Sequence, residues 1–90
     1  MDYGKTEVID NNLNPKWVKH FIVEYYTDSQ QHLLFEVWDD DDIEGELIGR
    51  AEMLMQDVMM APKQTFCCAL VHKKVFRGTL KIRAILQALT

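Results

Sequence analysis

Phe35-Glu36-Val37-Trp38-Asp39-Asp40-Asp41-Asp42-Ile43-Glu44-Gly45-Glu46-Leu47-Ile48-Gly49 is the stretch whose reading decides the fold. An apolar, aromatic run meets a block of acid, and a second apolar run leaves it. Six of the eight residues from 39 to 46 are carboxylates. Crowding that many like charges costs free energy unless something positive neutralises them. A hard divalent cation does so naturally, because it takes several oxygen ligands. Upstream, Leu33, Phe35 and Val37 fall on one face of a strand and Leu34, Glu36 and Trp38 on the other. Residues 47–53 read as the next strand.

Working outward, residues 5–9 alternate and are rich in β-formers, so they read as a short strand. Residues 10–15 carry turn chemistry, with Asn and Asp tolerating left-handed backbone and Pro15 holding Asn14 extended. From Phe21, the apolar residues recur with period two through Val23 and Tyr25, which predicts another strand. On the other side, residues 54–60 suit one or two helical turns stopped by Pro62. Met53, Met55, Met59 and Met60 allow a Met-rich binding face, but core and cap packing is the simpler reading. Residues 66–71 predict a strand, 72–77 a basic turn and 78–86 a final strand with Leu80, Ile82 and Ala84 on one face. The sum is about five or six short strands plus one short helical turn, which points to an all-β antiparallel sandwich.

Ninety residues make a single domain at most, here 1–90, with a thin stability margin. A hydrophobic content of 48% excludes a disordered chain. The net charge of -4 excludes general nucleic-acid binding, which needs a basic face. Outside the acidic block, Lys and Arg outnumber Asp and Glu by 10 to 8, the 8 being 14 minus 6. The object is therefore a slightly basic body with an acidic loop. Cys67 and Cys68 are adjacent, and neighbours rarely form a disulfide. Two free thiols, no apolar run of bilayer length and no signal peptide predict an intracellular, soluble chain. No serine–histidine arrangement, phosphate-cradling glycine loop or separate carboxylate pair supports catalysis, so the expectation is a non-enzyme.

The acidic loop has three readings. Asp40, Asp42, Glu44 and Gly45 match positions one, three, five and six of an EF-hand loop, but position twelve is Ala51 and the flanks are strands. A second reading is a solvated acidic turn with no ligand. The third is a cation site on a strand-flanked loop, with Asp39 and Asp41 turned to one side and Glu46 returning from the far limb.

The segments Thr6-Glu7-Val8-Ile9, Leu13-Asn14-Pro15-Lys16-Trp17, Phe21, Leu34-Phe35-Glu36-Val37-Trp38-Asp39-x-Asp41 and Leu47-Ile48-Gly49, in this order and spacing, resemble a C2 domain. Among C2 domains they are most similar to the first C2 domain of the copines. The resemblance implies a β-sandwich of C2 type with calcium held between loops at one end and an anionic phospholipid membrane as partner. It implies calcium ligands at Asp39, Asp41 and Glu46, and a membrane-entering apolar tip at Ile43. Measured against that family, the first strands and the first calcium loop are expected to be missing. The calcium site is then incomplete and weak, because calcium wants six to eight oxygens. Lys81 and Arg83 share one face of the last strand and could meet anionic lipid. The implied function is a calcium-dependent membrane-docking module, peripheral at the plasma membrane when calcium rises. The alternative is a calcium-independent protein-interaction module using exposed strand edges. A shortened sandwich would also expose apolar sheet surface and favour a homo-oligomer or strand swap.

Overall fold

The protein was analysed as a computed structural model, which describes residues 2–9, 14–39 and 45–86. Among the described residues, the regular structure is four strands, one helical turn and a 3-10 turn. Strand β1 is His32–Asp39 and β2 is Glu46–Leu54. Helix α1 is Met55–Met59, and a 3-10 turn follows at Pro62–Gln64. Strands β3, Thr65–His72, and β4, Val75–Arg83, close the sequence. All pairings are antiparallel, and the sheet order β1-β2-β3-β4 is that of the chain. The architecture is all-β and antiparallel with one short helix, as the alternation predicts.

The pleat sorts the side chains. Leu33, Phe35 and Val37 of β1 stand opposite Met53, Ala51 and Gly49 of β2. Phe66 and Cys68 of β3 stand opposite Ile82 and Leu80 of β4. Together they form the apolar face. On it lie Ala51, Met53, Val58 and Leu70, the buried cluster. Val58 enters from α1, where Met55 and Val58 (i and i+3) share the side turned to the sheet. Of the methionines on this stretch, Met53 and Met55 are buried while Met60 is 81% exposed. Core packing therefore takes most of the Met-rich segment, not an open methionine face. The two thiols divide as alternation demands: Cys67 is exposed and Cys68 half-buried, both free.

The opposite face is wet. Glu36 and Arg50 are register partners, and the Arg50 Nε donates to Glu36 Oε2 at 2.8 Å. Such an exposed pair contributes only about 0.2–1 kcal/mol, so it helps register more than stability. Two turns need backbone beyond the ordinary range. Lys73 and Lys74 have φ of 50° and 65° and form the whole β3–β4 loop between His72 and Val75. Positive φ at both central residues is the type I′ geometry that matches strand twist, normally given to Asn-Gly. The expected final strand at 78–86 thus begins three residues earlier, because the two-residue turn lets Val75 to Arg77 join the ladder.

The predicted strands at 5–9 and 21–26 carry no ladder among the described residues. Their alternation is nevertheless real: Phe21, Val23 and Tyr25 are half-buried while Ile22, Glu24 and Tyr26 are exposed. Glu7 ties the first segment to the backbone just ahead of the second. Its carboxylate accepts the backbone N–H of Val18 at 2.6 Å and of Lys19 at 3.2 Å. The Val18 N–H first, with further backbone N–H groups and the Lys19 charge, lowers the Glu7 pKa from its ordinary 4.5. A depressed carboxylate pKa stabilises the contact above the ordinary value and loses it as pH falls through the lowered one. The amide signals of Val18 and Lys19 will therefore titrate together in two-dimensional NMR, with a midpoint below 4.5. Glu7→Gln will abolish the shared transition; independent midpoints would show that Glu7 does not tie the segments.

Candidate functional site: the loop end of the sheet

The site begins from the strand register. Asp39 closes β1 and Glu46 opens β2, and the two are direct partners across the ladder. Directly opposed residues of an antiparallel pair project to the same side, with Cα atoms about 4.5–5.5 Å apart. Two carboxylates predicted as ligands, seven positions apart in sequence, are thus brought together by the hairpin. Both are solvent-exposed. Gly45 opens the return: a Cβ there would lie 3.1 Å from the Asp39 carbonyl oxygen, a tight contact that glycine avoids. The predicted ligand Asp41 and the predicted tip residue Ile43 lie outside the described residues. Among the described residues, no group of three or more His, Cys, Asp or Glu converges. The two described oxygen-bearing side chains suit a hard cation in kind and fall short of its usual number.

Topology decides what else stands here. In a meander, the β1–β2 loop and the β3–β4 turn fall at the same end of the sheet. Lys73 and Lys74 therefore sit at the same end of the sheet as Asp39 and Glu46. A shallow cleft of about 460 Å³ joins the two, lined by Glu46, Leu47, His72, Lys73 and Arg77. Both irregularities of the sheet are also near this end. The β1–β2 register shifts between Val37 and Trp38, so Ile48 is the extra residue. The β3–β4 register shifts between Leu70 and Val71, so Arg77 is the extra residue. Bulges bend and twist a strand and re-aim side chains, and they gather next to functional sites. The curl they produce brings strands one apart within touch: a Cβ on Gly49 of β2 would lie 3.5 Å from the Arg77 Cβ of β4.

Lys81 and Arg83 are exposed on one face of β4, as predicted, opposite Cys67 and Thr65. Arg83 is eight residues along the strand from Val75, roughly 26 Å from the loop end. Among the described residues, Lys73 and Arg77 line the cleft with Glu46, and Lys74 completes the turn beside them. Sequence reasoning grouped these as a basic turn but could not place them beside the acid. A pair of residues between two apolar runs is the signal for a two-residue hairpin, and from that the placement follows.

An all-β antiparallel architecture with opposed carboxylates flanking one hairpin loop fits a C2-type module. The family model described as "C2 domain" matches residues 2–70. The chain belongs to the C2 domain family, whose members are in general calcium- and phospholipid-binding modules. Within it, the chain is similar to copines. It is 36% identical to Copine-A of Dictyostelium discoideum over 70 residues, covering 78% of this chain and 12% of that protein. It is 33% identical to Copine-B of the same organism over 89 residues, covering 90% of this chain and 17% of that protein. Protein BONZAI 2 of Arabidopsis thaliana is 30% identical over 82 residues, 78% of this chain and 14% of that protein. The chain thus spans less than a fifth of the length of these relatives. No solved structure shows a significant match. Nothing in the site offers a nucleophile paired with a base, and the family is typically one of binding modules.

Proposed function

We propose that this chain is a calcium-responsive module that docks on anionic phospholipid through the loop end of its sheet. The observation that carries the reading is the register pair Asp39–Glu46, which sets two carboxylates face to face at the mouth of the acidic loop. Asp39, Asp41 and Glu46 would hold the ion, which when bound supplies positive charge against the loop's own repulsion and toward a phosphate-rich surface. Ile43 is then the apolar contact, and Lys81 and Arg83 add attraction where the flank of β4 meets lipid. Three carboxylates completed by water correspond to a weak site, with a dissociation constant of about 10⁻⁴–10⁻³ M. The module would sit peripherally at the plasma membrane when calcium rises.

Co-sedimentation with phosphatidylserine-containing vesicles tests this. Millimolar calcium is expected to raise the bound fraction at least about tenfold over chelator, a gain of roughly 1.4 kcal/mol. Asp39→Asn/Asp41→Asn is expected to erase that gain. A calcium response that survives the double variant, or no response in the parent, refutes the reading.

A second reading has its own observation. Strands β1 and β4 are the outer strands of the sheet. Exposed apolar side chains accompany β1 on its wet face, Leu34 at 54% and Trp38 at 53%. An open strand edge with such neighbours suits β-augmentation by a protein segment or a second copy. Calcium-independent association with no vesicle binding would favour it.

A further inference from the structure

We infer that the tip of the β3–β4 hairpin is a calcium-independent contact for an anionic lipid bilayer, formed by Lys73, Lys74, Val75 and Phe76 with Arg77. The choice of partner rests on the membrane-docking reading above; the contact itself uses none of the proposed calcium ligands.

The argument starts with the turn. A two-residue loop with positive φ at both positions gives the sharpest available projection from a sheet. Nature's usual residues there are Asn and Gly, yet here both are lysine, at φ of 50° and 65°. Lysine relieves none of the strain of that conformation, so its contribution lies outside the fold. The next two residues are apolar and open: Val75 is 54% exposed and Phe76 65%. Isolated exposed apolar residues need no explanation, but an aromatic and a valine directly behind two cations on a protruding tip form an amphipathic end. Arg77, the extra residue of the bulge, adds a third cation on the same tip. Cations flanking apolar side chains complement a bilayer interface, where phosphates meet the first acyl carbons. A protein groove would instead be expected to meet an apolar tip without three solvated cations around it. Glu46 shares the cleft with Lys73 and Arg77 and opposes their field locally. The net charge at the hairpin remains positive.

The test uses the 90-residue chain and vesicles of phosphatidylserine and phosphatidylcholine, with chelator present throughout. Lys73→Asn/Lys74→Gly is the decisive variant, because it removes both charges and supplies the residues the turn prefers. Its Tm is expected to rise, by roughly 4–8 °C for each kcal/mol of strain relieved. Its vesicle partition coefficient is expected to fall roughly 30-fold, about a factor of 5 per cation. Reduced binding by a stabilised protein cannot be attributed to unfolding. Phe76→Ser is expected to cost about tenfold in the same assay. With Trp17 and Trp38 replaced by Phe, Phe76→Trp is expected to show fluorescence quenching by brominated lipid in the presence of chelator. Binding of the parent should weaken as salt rises. Asp39→Asn/Asp41→Asn should retain chelator-resistant binding, which separates this contact from the calcium site. Unchanged partition in the lysine variant overturns the inference. So does a Phe76→Ser effect seen only as loss of a chain dimer in sedimentation velocity, since the hairpin would then bind a second copy.

Discussion

Val58→Asp will abolish the cooperative thermal transition of this chain at neutral pH. A domain of this size is stable by about 5–13 kcal/mol in general. Among the described residues, five hydrophobic side chains are buried below a tenth exposure, a small core that puts the chain near the low end. Val58 is the largest fully buried side chain among the described residues, 1% exposed, and the point where α1 seals the sheet. Aspartate there forfeits about 1.5–3 kcal/mol of side-chain burial. It also places a carboxylate among Ala51, Met53 and Leu70, none of which can donate a hydrogen bond. The two costs together are about 5 kcal/mol or more, comparable with the whole stability. Val58→Ala, which only deletes methyl groups, should cost about 2 kcal/mol. Met60→Asp, two residues on but 81% exposed, should stay within about 0.5 kcal/mol of the parent. Circular dichroism melts of the three variants order the effects. A Val58→Asp melt near that of the parent would mean that α1 does not cover the core.

Why so much of the sheet is readable beforehand follows from the same chemistry. Strands β1, β2 and β3 extend only one residue or so beyond the alternating runs at 33–38, 47–53 and 66–71. A half-buried strand must repeat its apolar residues every second position, and these do. The segments at 5–9 and 21–26 show the limit. Alternation reports which side chains are covered, and it does so correctly for Phe21, Val23 and Tyr25. It says nothing of what the backbone pairs with, and Glu7, an acceptor reached across eleven residues, is invisible to it. The site divides in the same way. Asp39 and Glu46 are legible because a hairpin between two apolar runs opposes its end residues. The placement of Lys73, Lys74 and Arg77 beside them needs sheet order, which periodicity does not contain. Lys81 and Arg83 share a face by parity, and parity alone cannot say how far along the strand that face lies from the loop.

Gly49→Val will lower stability by about 3 kcal/mol and weaken vesicle binding beyond what the lost stability explains. Gly49 is buried, pairs with Val37 beside the β1–β2 bulge, and carries no unusual φ. Its lack of a side chain matters for distance. A Cβ would lie 3.2 Å from the Leu70 Cβ and 3.4 Å from the Val71 backbone nitrogen. The first contact is tight, so Leu70 must give by a few tenths of an ångström. The second, at the short edge of ordinary contact, is backbone in the neighbouring strand, so the methyl groups that valine adds beyond its Cβ meet a neighbour that gives little way. Replacing strand glycine with a β-branched residue would otherwise gain about 0.5–1 kcal/mol of backbone entropy. The steric cost of overpacking is about 1–3 kcal/mol, and valine presents two methyl groups against an immobile neighbour, so the cost wins. The displacement lies between β2, which carries Glu46, and the β3–β4 hairpin, which carries Lys73 and Arg77. Parting those strands opens the cleft that joins acid to base at the loop end. Gly49→Ala should show the same two effects at smaller size. Chemical denaturation gives the stability loss, and vesicle partition measured well below the melting range gives the binding loss. If the valine variant loses stability but partitions like the parent, the spacing of β2 and β3 serves the core alone. If it loses both, the glycine that lets two strands approach is what aligns the acidic loop with the basic hairpin as one surface.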